Sequence, residues 1–308
     1  MTNATLPALG TDSVPATAID VRGLSKSFRR RPVLNDVQLS VPTGSVLGLL
    51  GKNAAGKTTF LKCLLGLIRP DAGAAILLGH SSWTLPPSIK ASIGYVPQLV
   101  THPAWMNIAQ IVEYTASFYP RWNDHLVSRL LLEWELDESQ KAGSLSLGTQ
   151  QKLAIILALG HEPSLLILDE PAASLDPAAR RDFLKALLDI AADGSRTILF
   201  STHITSDLER VADSVAILQR GVIRYHGALD ELKDSVKRLH ITTPAPLTLP
   251  QLTIPNVLHT RLAGNTATIT VQHLNPDLIP TLRRTLGATD IRTEDLNLED
   301  IFLELHHD

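Results

Sequence analysis

The segment Gly51-Lys-Asn-Ala-Ala-Gly-Lys-Thr-Thr59 constrains the fold of this chain more than any other. It fits the spacing G-x-x-x-x-G-K-[ST], with Gly51, Gly56, Lys57 and Thr58 at the defined positions. Its flanks supply the context that spacing needs. Ser45 to Leu50 reads as a short buried strand, and the run from Thr59 reads as a helix ending near Gly66. Strand, glycine loop and helix in that order let backbone N–H groups along Lys52, Asn53, Ala54, Ala55, Gly56 and Thr59 curl around phosphate oxygens. The helix N-terminus adds its positive dipole end. Lys57 reaches the outer phosphates and the Thr58 hydroxyl suits Mg²⁺. A glycine-rich turn is the bland alternative. Ala54 stands where many such loops carry glycine. If that position needs a positive φ, its Cβ costs on the order of 1 kcal/mol, and glycine there is expected to tighten phosphate binding modestly.

A second cluster supports the first. Leu165-Leu-Ile-Leu-Asp-Glu170 places two acids at the C-terminal end of a continuous apolar run, as in a buried parallel strand. That edge is where α/β sheets hold ligands. Asp169 suits a Mg²⁺ ion through its water shell, and Glu170 suits an attacking water. One such acid could simply cap the next helix; two beside a phosphate loop fit poorly with that.

Bulk properties narrow the class. The chain has 308 residues, 44% hydrophobic and 19% charged, enough for one large domain and a small one. A net charge of −3 gives no bulk reason to expect nucleic acid as a partner. The Arg29-Arg30-Arg31 run reads as a solvated turn. Cys63 is the only cysteine and reads as a small core residue, which suits a cytosolic protein. No apolar run approaches the roughly 20 residues of a membrane helix. Residues 1–18 lack a signal-peptide pattern and read as a loose tail.

Alternation of strands and helices continues from Ile19 to about Leu239. Ile19–Leu24, Val37–Val41, Ala75–Gly79, Ile93–Val96 and Thr197–Ser201 read as strands. Trp105–Leu136, Gln150–Leu159 and Ala178–Ala192 read as helical. This is an α/β pattern with buried parallel strands. The texture changes after Leu239, with prolines and threonines between Thr242 and Pro255. A strand at Thr266–Val271, a helix at Leu278–Leu286 and an amphipathic stretch at Leu298–Leu305 complete a small α+β unit over 240–308. His306 and His307 read as a solvated tail.

Taken together, these motifs resemble the nucleotide-binding subunits of ABC transporters, over about Ile19 to Leu232. The resemblance implies a P-loop NTPase fold of ABC ATPase type: a β-rich subdomain, a RecA-like core and a helical subdomain at about 100–160. Phe28, with Val33 beside it, stands where the family stacks an aromatic ring on adenine, although Phe28 also suits a core. Gln98 in Tyr-Val-Pro-Gln matches the glutamine that touches Mg²⁺. Asp176 in Ser-Leu-Asp-Pro matches the D-loop, facing a dimer partner. His203 in Phe-Ser-Thr-His matches the switch histidine at the γ-phosphate. Leu145-Ser-Leu-Gly-Thr matches the signature, with Leu147 and Thr149 replacing the usual glycine and glutamine while Ser146 and Gly148 remain. The signature loop opens the helix beginning near Gln150 and, in the family, meets ATP bound to the other subunit.

A leucine-substituted signature, Phe118-Tyr-Pro-Arg-Trp-Asn and the segment around His203 are similar to YtrB-like, GntR-associated ATPases of type-2 exporters. The implied function is ATP hydrolysis with Glu170 and His203 as catalytic residues, ATP and Mg²⁺ as ligands, and a metal site at Thr58, Gln98 and Asp169. The implied partners are a second copy or a homologous ATPase subunit and an integral membrane permease, with no nucleic acid. The implied location is the cytoplasmic face of the inner membrane. The rival readings are an ABC-type ATPase acting on ribosomes or nucleic acid, and a nucleotide-locked scaffold. One cassette, no long insertion and an acidic balance favour the transporter reading over the first. Retained Lys57, Asp169, Glu170 and His203 favour it over the second.

Overall fold

The computed structural model describes residues 16–192, 194–248, 254–275 and 277–305. The predicted tail therefore lies outside the described residues up to 15, and its last two residues, Thr17 and Ala18, already belong to a strand. His306 and His307 also lie outside them.

Strands β1 (Thr17–Phe28) and β2 (Arg31–Pro42) form one long antiparallel hairpin. Arg29 and Arg30 make its turn with φ of 48° and 65°, positive at both positions as the strand twist demands. The first two arginines of the run thus make the turn, while Arg31 opens β2 opposite Phe28. β4 (Ala72–Leu77) and β5 (His80–Ser81) complete a four-stranded antiparallel sheet in the order β2-β1-β4-β5.

The central sheet has six strands: β3 (Val46–Leu50), β6 (Ile93–Val96), β7 (Leu165–Asp169), β8 (Thr197–Thr202), β9 (Ser214–Gln219) and β10 (Val222–Ala228), in the order β10-β9-β3-β8-β7-β6. All pairs are parallel except β10 with β9. Successive side chains leave opposite faces, and both faces are covered. Leu165 and Ile167 join the core shared with the first sheet and α1 (Lys57–Leu64). Leu166 and Leu168 join the core under α5 (Leu147–Gly160) and α6 (Pro177–Ala191). Burial on both faces explains the unbroken apolar run before Asp169. Cys63 packs in the first of these cores, and burial raises the pKa of its thiol.

The predicted helical stretch 105–136 is two helices, α3 (Ile108–Ala116) and α4 (Asp124–Glu133); the short α2 (Pro87–Lys90) precedes them. Pro120 cannot continue a helix. Asn123 caps α4 by accepting from Leu126 N at 2.9 Å, and Asn107 caps α3 in a reciprocal box with Gln110. The signature helix α5 starts at Leu147, three residues before the predicted Gln150. Ser146 is its cap, and cap residues hide the start of a helix from apolar periodicity.

After α7 (Thr205–Val211) and α8 (Leu229–Ser235), β11 (Val236–Thr242) begins a second antiparallel sheet with β12 (Val257–Ala263), β13 (Thr266–Gln272) and β14 (Asp290–Asp295), ordered β12-β13-β11-β14. It packs on α9 (Leu278–Leu286) through Leu239, Ile269 and Leu282. The sheet begins at Val236, before the expected boundary at 239/240. The last helix, α10 (Leu298–Glu304), leaves this unit and buries Leu298, Ile301 and Phe302 in the core under α5 and α6. No helix among the described residues is long and apolar enough to cross a membrane.

Candidate active site

The phosphate-loop sequence forms a turn between β3 and α1 at the C-terminal edge of the central sheet. Gly51 N donates to Thr202 O at 3.3 Å, tying the loop to the end of β8. Gly56 has φ 107°, and a Cβ there would lie 2.9 Å from Val33 O; only glycine fits. Gly56 also starts α1 without a side-chain cap, so the first N–H groups of the helix remain available to an anion. Ala54 adopts φ 65°, the left-handed conformation its position raised as a concern. The loop walls a cleft of about 430 Å³ lined by Asn53, Ala54, Ala55, Gly56, Lys57, Thr58 and Thr59, together with Val33, Gln98 and Glu170.

Lys57 is buried and folded inward. Its Nζ donates to Gly51 O at 2.6 Å and Lys52 O at 3.3 Å, and pairs with Glu170 Oε1 at 2.9 Å. The other Glu170 oxygen, Oε2, lies 2.8 Å from His203 Nδ1. Glu170 thus bridges the loop lysine and the histidine. Its backbone has φ 49°, held by Glu170 N donating to Ser201 Oγ at 3.0 Å. Positive φ in a glutamate is a strained state that the surroundings must enforce.

Asp169 is fully buried. Its Oδ1 accepts from Ser201 Oγ at 2.8 Å, while Oδ2 is buried with no hydrogen-bond partner. Burial raises the pKa of this carboxyl; the Ser201 and Thr58 hydroxyls and the Lys57 charge oppose the shift, and Glu170 adds to it. Burial, with the Asp169 charge adding to it, pushes the neighbouring Tyr95 phenol up to about 12. Ser201 was not singled out from the sequence. It organises both acids because β8 runs parallel to β7 with Ser201 directly opposite Asp169. The available signal was its place two residues before His203, at a strand end.

Other predicted residues stand apart from this cleft. Ser146 caps α5 through Thr149 N at 3.1 Å, and its Oγ also shares a 2.8 Å hydrogen bond with Thr149 Oγ1. Leu147 is 71% exposed. A Cβ on Gly148 would lie 3.2 Å from Ser174 O, so signature and D-loop are neighbours. Asp176 caps α6 with Oδ1 accepting from Ala178 N and Ala179 N at 2.9 and 3.0 Å. Those N–H groups hold its carboxyl below the ordinary range. Phe28 sits at the hairpin end, half-exposed, with Lys26 Nζ 5.4 Å from its ring centre; it does not line the cleft. The exposed ring departs from the core alternative.

The arrangement offers uncapped N–H groups and a lysine for phosphates, and an acid–histidine pair for water. The family described as "ABC transporter" matches residues 34–173. The chain is 33% identical over 302 residues to Nod factor export ATP-binding protein I of Burkholderia lata, covering 95% of this chain and 98% of that protein. It is 31% identical over 241 residues to the ABC transporter ATP-binding protein YtrB of Bacillus subtilis, covering 77% and 82%. A solved ATP-binding subunit of an ABC transporter superposes with TM-score 0.65 at 32% identity, covering 71% of this chain and 92% of that one. A dimeric ATP-binding cassette bound to ADP and phosphate has the same fold, with TM-score 0.62 at 20% identity over 68% and 98% of the two chains. The phosphate loop, the acids at the end of β7 and these relatives lead to one conclusion: the chain belongs to the ABC transporter ATP-binding proteins and is an ATP-binding, ATP-hydrolysing subunit.

Proposed function

We propose that this subunit powers a bacterial exporter, working as a head-to-tail dimer beneath a separate membrane permease on the cytoplasmic face of the membrane. The observation that carries the dimer is the separation of two sets of residues. Asn53 to Thr59, Gln98 and Glu170 line one cleft, whereas Ser146 and Gly148 lie elsewhere, at the Ser146-capped start of α5. Each cleft is half a site, and a second copy related by a two-fold axis supplies the other half. The export direction rests on likeness to relatives named for Nod factor export.

ATP enters the cleft with its phosphates on Lys57 and on the N–H groups between Asn53 and Thr59 other than Ala55, whose N–H donates to Lys52 O at 3.1 Å, and with its base against Phe28 and Val33. The unpartnered Asp169 Oδ2, with Thr58 and Gln98 nearby in the sequence roles assigned to them, suits Mg²⁺. That ion, when bound, neutralises charge on the outer phosphates. Glu170 polarises the attacking water, and His203 holds the Glu170 carboxylate and meets the γ-phosphate. Ser146 and Gly148 of the second copy cap that phosphate, so hydrolysis loosens the dimer. Opening and closing is the two-state element. Leu99, Trp105, Tyr114 and Phe118, exposed after Gln98 and on or beside α3, form the apolar surface for the permease.

Glu170→Gln tests the reading. It should lose phosphate release and accumulate an ATP-bound dimer on size-exclusion chromatography. Parental turnover in this variant would refute the role of Glu170; a variant that stays monomeric with ATP would refute the shared site. Co-purification of the chain with an integral membrane protein tests the transporter partner.

A further inference from the structure

His203 runs directly into α7, and that helix is gripped from three sides. Leu208 sits on β3, so close to Gly48 that a Cβ there would meet Leu208 Cδ2. Buried Asp207 holds Arg180 of α6 through Oδ1, 2.7 Å from Arg180 Nε. The third grip comes from the far end of the chain. α10 packs on α7, and its Leu298, Ile301 and Phe302 share one core with Leu208 and Val211. Each such fully buried side chain is worth about 1.5–3 kcal/mol, so the attachment is firm.

One polar contact sets the register of the two helices. Glu209 Oε1 on α7 accepts from Leu298 N, the first residue of α10, at 3.1 Å, and pairs with Lys233 of α8 at 3.2 Å. At its other end, α10 is tied to the C-terminal sheet through Glu304 and Arg238 at 2.9 Å. The C-terminal unit therefore reaches the helix that begins two residues after His203, whose Nδ1 lies 2.8 Å from Glu170.

We propose that Glu209 is a positioning residue for ATP hydrolysis: by holding the start of α10 it fixes α7 and keeps His203 on Glu170. The C-terminal unit is then a brace for the catalytic histidine, resting on the assignment of His203 and Glu170 above. Glu209 does not line the phosphate-loop cleft, so the effect falls on turnover and spares nucleotide binding. A small displacement of a catalytic group costs rate steeply.

Three variants of the full chain decide it: Glu209→Ala, Glu209→Gln and His203→Ala, each measured for kcat and for binding of a fluorescent ATP analogue. Glu209→Ala should lower kcat about tenfold with analogue affinity within about twofold. Glu209→Gln keeps an acceptor for Leu298 N and should restore most of the rate. Parental kcat in Glu209→Ala, equal losses of kcat and affinity, or no rescue by glutamine would each overturn the proposal. His203→Ala separates it from the site reading. Parental turnover in that variant refutes the histidine's role and, with it, the route through α7. A slow His203→Ala beside a parental Glu209→Ala refutes the brace alone.

Discussion

Glu170 is the counter-charge of Lys57, and Glu170→Gln removes it. The two side chains are 5% and 6% exposed and 2.9 Å apart. Removing one partner of a fully buried ion pair costs about 3–5 kcal/mol, because the other charge is stranded. Two facts reduce that figure. Lys57 keeps its hydrogen bonds to Gly51 O and Lys52 O, and both groups line an open cleft that admits water. A loss of about 1–3 kcal/mol remains, which lowers Tm by about 2–12 °C at roughly 2–4 °C per kcal/mol. ATP binding changes in the opposite direction. In the parent, the phosphates must draw Lys57 away from Glu170; in the variant they meet a lysine without a counter-charge. If about 1–2 kcal/mol of the pair's energy is recovered, ATP binds about 5- to 30-fold more tightly, since 1.4 kcal/mol is tenfold. Calorimetric titration with ATP, at a protein concentration where the chain is monomeric, reads the affinity; thermal unfolding without nucleotide reads the stability. Unchanged Tm together with unchanged affinity would refute the reasoning that the ion pair opposes nucleotide binding.

Two further substitutions are informative. Ala54→Gly relieves a left-handed alanine, worth about 1–2 kcal/mol, but adds unfolded-chain entropy of about 0.4–1 kcal/mol. The φ of 65° belongs to the folded loop, so the net gain of at most about 1.6 kcal/mol should appear as a Tm higher by up to about 3–6 °C. ATP affinity should stay within about twofold, in place of the tightening expected from the sequence; tenfold tighter binding would show that ATP imposes the strain. Asp169→Asn should abolish Mg²⁺-dependent turnover yet raise Tm at pH 8, because burial disfavours the charged carboxyl. The folded pKa is raised, so the penalty is absent below the ordinary value of 3.8. It grows as pH rises from there and is complete above the raised value. The Tm difference between variant and parent should therefore close as pH falls towards 4, and a difference that is constant with pH would refute the burial argument.

Local chemistry made much of this protein legible as sequence. Gly51, Gly56, Lys57 and Thr58 stand within one turn of chain, so their spacing alone specifies a phosphate cradle. The unbroken apolar run before Asp169 and Glu170 announces a strand buried on both faces with acids at its end. These are contacts over a few residues, and the sequence states them directly. Tertiary structure decided what depends on distant neighbours. Ser201 became the residue that aligns both acids because β8 lies beside β7, a pairing across 32 positions. Lys57 is folded onto Glu170 in the wall of the cleft, because an uncompensated lysine at that buried position is costly. The run 105–136 split at Pro120 and Asn123, and α5 gained a turn from its Ser146 cap. The C-terminal unit read as a separate appendix because its strands and α9 form their own small core. Only the folded chain brings α10 back against α7, since apolar side chains are indifferent to sequence distance and bury wherever the fold offers a complementary face.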